Sequence, residues 1–309
     1  MRSNVVGILA SSSKLVDPRL IEKMEVRAAE KQLRFIVGYA TGDLANTQRY
    51  LRDFRSRRVD AIISLSHNHP ACRGRLLEEL QRGRERVLFY DKPIGRSRNP
   101  WYVDLDYYEM GRLAAQHLID RGRRRIGLIG LDEEYFPVLC QRRRGFEDAL
   151  RRAGLSSEGL VWQVDERRSL NWMEPPGERD AAAIVDELVV RHKCDGIFAV
   201  NDLYVARMAS VLRRLGRRVP DDVALVGADN MDIATLVEPQ ITTIDVQIDA
   251  LAKATVELLF EMLHGPEGAA TAAVSSDSAA VGAVVGSGDG SAAGRGIVVK
   301  PKLVIRQTT

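Results

Sequence analysis

The sequence predicts an α/β fold: two doubly wound parallel-sheet lobes in tandem with a ligand cleft between them. Three observations carry this expectation. Short apolar runs bounded by polar residues, the pattern of strands buried on both faces, alternate with helical periodicities along most of the 309 residues. The alternation restarts near residue 125, where Arg125-Ile126-Gly127-Leu128-Ile129-Gly130 has the character of the opening run Val5-Val6-Gly7-Ile8-Leu9-Ala10. In residues 194–244, two apolar runs flank one amphipathic helix, and each ends in Asn and Asp residues.

Taken in order, strands are expected at 5–10, 35–40, 59–65, 87–91 and 102–106. Helices are expected at 18–32, 45–57, 76–82 and 108–121, with Pro18 suited to a first turn. After the restart, strands are expected at 125–130, 160–164, 196–200 and 223–227, with helices at 140–153, 178–192 and 203–215. Asp202 is the expected N-cap of that last helix, and Gly216 its C′ residue after Arg213 and Arg214. A further helix at 248–263 ends at His264-Gly265-Pro266. Residues 267–296 are nearly all Gly, Ala, Ser, Val and Asp without period, and read as a mobile, low-complexity insertion. A final strand at 297–306 is interrupted by Pro301, which suits a sheet edge.

In open parallel sheets, ligands bind beyond the carboxyl ends of the strands. Asn201, Asp202, Asp229 and Asn230 close the two strands of the 194–244 unit and so form a polar rim there. Asp91 and Asp106 end strands of the first lobe in the same way. Hydrophobic content of 45%, charge of 28% and a net charge of +3 fit a soluble globular chain whose arginines are spread over solvated helix faces. Cys72, Cys140 and Cys194 form no CxxC, which argues against a zinc site or disulfide framework and for a reducing, cytoplasmic setting. The opening apolar run is too short for a secretory signal, and no run approaches about 18 residues, so no membrane span is expected.

Catalytic chemistry finds no foothold. His67 and His69 share a loop without a third ligand at metal spacing. Gly286-Ser287-Gly288-Asp289-Gly290 follows no strand and lacks the P-loop lysine, and no GxGxxG follows the first strand. No enzyme activity, cofactor or metal is expected.

Several segments, in order, resemble the effector-binding core of lactose-repressor-type (LacI/GalR) transcription factors, which share the periplasmic-binding-protein type I fold. They include Val6-Gly7-Ile8-Leu9, Arg58-Val59-Asp60-Ala61-Ile62-Ile63, the R-x-x-G-F segment Arg142–Phe146, Asp195–Asp202, Val219–Asn230, Pro239–Ile244 and Lys302–Arg306. The resemblance implies one lobe of about residues 4–119 and 246–264, and another of about 120–244 and 297–309. It also implies a homodimer and operator DNA bound through an N-terminal headpiece that this sequence lacks. It implies further that Asp229 takes a pair of ligand hydroxyls or amines, that Arg142 reaches a ligand oxygen, and that Asn201 donates and accepts toward a sugar. Asp17 stands where family members place polar contacts. For Asp229 and Asn201 the structural alternative is helix capping, and Asp202 and Asn230 are read as caps. Phe136, with Tyr135 and Trp172, lies in loops where a ring can stack on a sugar or purine. The expected effector is a sugar or sugar derivative, with a purine or acidic sugar left open. The rival function is the sugar-binding protein of an ABC uptake system, which calls for a secretion signal.

Overall fold

Buried apolar runs and amphipathic helices sort the chain into two units, residues 1–105 with 248–299 and residues 106–247 with 300–309. The structure is a computed structural model. It describes the chain apart from residues 1–2, 11–16, 41–43, 66–72, 84, 94–99, 132, 134–136, 165–174, 266–280 and 286–294, and backbone alone at 73, 74, 81 and 281–285.

In chain order the elements of the first half are β1 (Val5–Ala10), α1 (Pro18–Glu30), β2 (Arg34–Tyr39), α2 (Leu44–Ser56), β3 (Ala61–Ser64), α3 (Arg73–Arg82), β4 (Arg86–Tyr90), β5 (Trp101–Leu105) and α4 (Tyr107–Asp120). Then come β6 (Ile126–Gly130), α5 (Leu139–Arg152), β7 (Val161–Gln163) and α6 (Glu178–Val185), which runs on in π geometry through Asp186–Arg191. The remainder is β8 (Gly196–Phe198), α7 (Asp202–Arg214), β9 (Ala224–Ala228), α8 (Ile233–Leu236), β10 (Thr242–Asp245), α9 (Ile248–His264), β11 (Val281–Val285), β12 (Arg295–Val299) and β13 (Lys302–Val304). Helix α1 shows the local logic. Asp17 accepts the Arg19 amide at 2.9 Å, Pro18 fills the first turn, and Leu20, Met24 and Ala28 recur every fourth residue to make the buried face.

The first unit has a seven-stranded sheet in the order β11-β12-β5-β4-β3-β1-β2, parallel throughout except β11. Leu9, Leu51, Phe54, Ile62, Leu76 and Phe89 form its core. The second has a six-stranded sheet in the order β13-β10-β9-β8-β6-β7, parallel except β13, over a core that includes Ile129, Ile184, Ile197, Met208, Leu212 and Leu225.

The expected boundaries need correcting. Helix α4 belongs to the second unit, not the first, because it crosses α5 at glycines on both sides. The expected single final strand is two strands in two sheets. β12 pairs with β5 in the first unit, the chain crosses over at Lys300-Pro301, and β13 pairs antiparallel with β10 in the second. Residues 281–285 of the 267–296 insertion pair antiparallel with 295–299, so that stretch is not without structure. β10 and α8 lie outside the expected elements.

The chain's last residues are stitched into the second unit. Thr308 is fully buried; its Oγ1 donates to the Leu225 carbonyl at 2.7 Å and accepts the Thr242 amide at 2.9 Å. Thr309 Oγ1 meets both His117 Nε2 and Thr242 Oγ1 at 2.8 Å. Thr308→Val keeps the shape and strands both backbone groups, so it should cost about 2–3 kcal/mol. Chemical denaturation checks this, and an unchanged midpoint would mean that the tail is not part of the cooperative unit.

Candidate functional site

Three segments of the second unit converge at the carboxyl ends of β6, β8 and β9. After β8 the chain runs extended through Asn201, whose Oδ1 accepts the Leu203 and Tyr204 amides at 3.1 and 3.3 Å. Asn201, not Asp202, is therefore the N-cap of α7, and that oxygen is taken up by the helix. Asp202 instead accepts the Met231 amide at 2.7 Å, tying α7 to the loop after β9. Neither residue has any exposed surface.

That loop turns on Asp229 and Asn230, consecutive non-glycine residues in left-handed conformation with φ of +84° and +46°. Such a pair persists only where its surroundings hold it, and strain of this kind gathers at ligand sites. Here the Asp229 amide donates to the Ile244 carbonyl at 2.9 Å and the Asn230 amide to Thr243 Oγ1 at 3.3 Å.

Arg142 lies in the first turn of α5 and is only 4% exposed. Its Nη1 donates to the Val200 carbonyl at 3.1 Å, the guanidinium lies 5.5 Å from the Phe198 ring centre, and Nη2 has no acceptor among the described residues. Burial pushes the guanidinium below its ordinary pKa, opposed by the charges of Asp229, Tyr107 and Glu133. An arginine stays ionised regardless, so a charged donor is held at this rim beside an ionisable acceptor. A small hollow beside it is lined by residues including Gly130, Glu133, Leu139 and Gln163. Arg143 is paired with Glu133 at 2.8 Å and Arg144 is exposed.

The position of Arg142 follows from helix packing. A Cβ on Gly145 would lie inside the van der Waals shell of the Tyr108 carbonyl oxygen and 3.1 Å from the Arg112 amide nitrogen. A Cβ on Gly111 would meet the carbonyl of Arg142 itself and lie 2.8 Å from the Phe146 nitrogen. The two backbones touch, which fixes where the arginine's stem begins.

The sequence-named residues fare differently. Arg142, Asn201 and Asp229 meet at one rim. Asp106, at the start of α4 in the same unit, accepts the Glu109 amide at 2.9 Å as an N-cap. In the first unit, Asp17 is 9% exposed and its carboxylate is taken up by the α1 cap and by Arg19 at 2.7 Å. Asp91 follows β4 with φ of +69°, its amide donating to Val103 at 2.8 Å. Phe136, Tyr135, Trp172, His67, His69 and residues 286–290 lie outside the described residues. Asn230 is no helix cap: its side chain bridges Arg306 and Asp245. Sequence reasoning gave no role to Arg306, Thr243 or Asp245, whose partners lie far along the chain.

Among the described residues, no three His, Cys, Asp or Glu side chains cluster as a metal site, and no helix is long and apolar enough to cross a membrane. The buried Cys194 thiol is pushed up to about 11 by burial, so it is not a nucleophile at neutral pH. What the rim offers is a guanidinium donor and a carboxylate acceptor, complementary to hydroxyl groups that both donate and accept.

Comparison with known proteins supplies the lineage. Residues 115–278, just over half of the chain, match the model of a periplasmic binding protein-like domain. The HTH-type transcriptional repressor PurR of Klebsiella pneumoniae subsp. pneumoniae is 27% identical over 268 residues, spanning 84% of this chain and 73% of PurR. The HTH-type transcriptional regulator CelR of Thermobifida fusca is 28% identical over 242 residues, 78% of this chain and 67% of CelR. Among solved structures, a CelR–cellobiose complex superposes with a TM-score of 0.77 at 24% identity, covering 100% of this chain and 85% of the other, which is a likeness of fold.

Proposed function

The chain belongs to the periplasmic binding protein-like domain family, and from that premise we propose that it is the effector-sensing core of a LacI-type transcriptional regulator. It binds a sugar or sugar derivative at the carboxyl end of the second unit's sheet. Its relatives are regulators rather than enzymes, and one solved neighbour holds cellobiose. The observation that carries the reading is the buried Arg142 guanidinium, its Nη2 without an acceptor among the described residues, in the field of Asp229. A charged buried donor costs free energy to maintain, and an oxygen-rich ligand offsets that cost. Operator DNA is contacted through a headpiece outside this sequence, in the cytoplasm, and effector binding shifts the population of DNA-competent conformers.

A thermal-shift panel of monosaccharides and disaccharides, cellobiose among them, tests the proposal. At least one sugar at about a hundred times its Kd should add about 2.7 kcal/mol of stability. Asp229→Asn should remove the effect. Asparagine suits this test better than alanine, because it tolerates the left-handed backbone at that position. Stabilisation by nucleobases and by no sugar would overturn the sugar class.

The core works as a homodimer. Leu236 is 77% and Ile305 53% exposed, and Gln240 ties their segments together through Thr235 and Gln307. Large apolar side chains bared on linked segments are what an interface between copies covers. Light scattering at micromolar concentration should give a dimer, and Leu236→Glu a monomer; a monomeric wild-type chain would refute the assignment.

A further inference from the structure

We infer that Arg306 is a positioning residue for the effector loop, holding the Asp229–Asn230 turn in its strained shape without touching the effector. The inference rests on the reading of that rim as the effector site. Arg306 lies just beyond β13, half-buried, and its guanidinium forks. Nη2 donates to Asn230 Oδ1 at 2.8 Å, and Nη1 to the Ile241 carbonyl at 2.7 Å. Its own backbone is fixed by donation to Thr242 Oγ1 at 2.9 Å. The far side of the Asn230 carboxamide donates to Asp245 Oδ2 at 3.3 Å, so the side chain is gripped from both ends. A planar fork can span two acceptors in fixed geometry, as an ammonium cannot. Asn230 follows Asp229 directly and shares its left-handed conformation, so a grip on one sets the direction of the other's carboxylate. Arg306 thus links the chain's end to the ligand rim.

Hydrogen–deuterium exchange on the whole chain tests this without a ligand. In Arg306→Met the Asn230 and Met231 amides should exchange roughly tenfold faster, as expected for loss of one charge-assisted hydrogen bond. The amides of β10 should keep their rates. Unchanged exchange at 230–231 overturns the inference, and so does equal loosening of β10, which would make Arg306 a general sheet residue. Arg306→Lys keeps the charge and stem and should loosen the turn as the methionine variant does, giving the readout should that variant not fold. Titration with the panel sugars, cellobiose among them, separates this inference from the reading beneath it. Affinity about tenfold weaker in Arg306→Met, with the melting temperature nearly kept, supports the positioning role. Unchanged affinity in Asp229→Asn sinks the effector-site assignment and leaves the clamp on the turn standing.

Discussion

Gly145→Ala is expected to destabilise the second unit by about 3 kcal/mol or more, although the replacement improves helix propensity. In an exposed helix interior the exchange would gain about 1 kcal/mol. Here the new Cβ would overlap the Tyr108 carbonyl oxygen and lie 2.8 Å from the Tyr108 carbonyl carbon, both backbone atoms that no side-chain rotation can move. Helices α4 and α5 would have to separate, opening a contact in which Met110, Ala114, Phe146 and Leu150 are all buried. Overpacking against an unyielding partner costs about 1–3 kcal/mol and more where backbones collide, so the steric effect exceeds the propensity gain. Gly111→Ala is the mirror experiment, and it strikes the carbonyl of Arg142 itself. Melting temperatures several degrees lower in both variants are the expected result. An unchanged or raised value would mean that the crossing is loose and that the arginine's placement has another origin. The crossing is also why α4 folds with the second unit, a fact about packing that no local pattern in residues 107–120 announces.

What could be read from the sequence was local, and what could not was long-range. The β/α alternation, the Pro18 start of α1 and the Gly216 end of α7 each follow from a few neighbouring residues. So did the polar ends of β8 and β9, because a strand buried on both faces must end where its polar groups begin. The exchange of roles between Asn201 and Asp202 is a one-residue ambiguity, since both side chains accept and both sit at the turn. Strand β10 is not legible locally because Thr242-Thr243-Ile244-Asp245 has no apolar alternation. Its threonines are fully buried, with Thr242 bonded to tail residues that lie 64 or more positions away. The task of Arg306 has no local signal, because its partners Asn230 and Ile241 become neighbours only when the sheet closes. Asp17 shows the converse. A carboxylate after a strand is a fair ligand candidate, yet the amide and the guanidinium of Arg19, two residues on, already occupy it.

Arg142→Met is expected to lower affinity for the sugar effector by at least a hundredfold while leaving stability within about 1 kcal/mol of the parent. The two expectations together are the informative part. A residue conserving only structure would lose stability when truncated, whereas a buried charge held for a ligand costs stability in the unliganded chain. Methionine matches the length of the arginine stem and would lie against Met110 and Phe198, which already contact the guanidinium. The substitution strands the Val200 carbonyl, a loss of about 1–3 kcal/mol. It also relieves the desolvation of a guanidinium that burial has pushed down in pKa, an effect of similar size and opposite sign. A hundredfold loss corresponds to about 2.7 kcal/mol, the scale of a charge-assisted hydrogen bond removed from a buried site. Arg142→Lys separates charge from geometry: it keeps the cation, cannot hold the Val200 carbonyl and a ligand oxygen in one plane, and should bind about tenfold more weakly than wild type. Calorimetry with the stabilising sugar, run beside denaturant midpoints for the same proteins, decides the matter. Wild-type affinity in the methionine variant would remove Arg142 from the binding site, and a collapse of its stability would make the guanidinium a structural strut between β8 and α5.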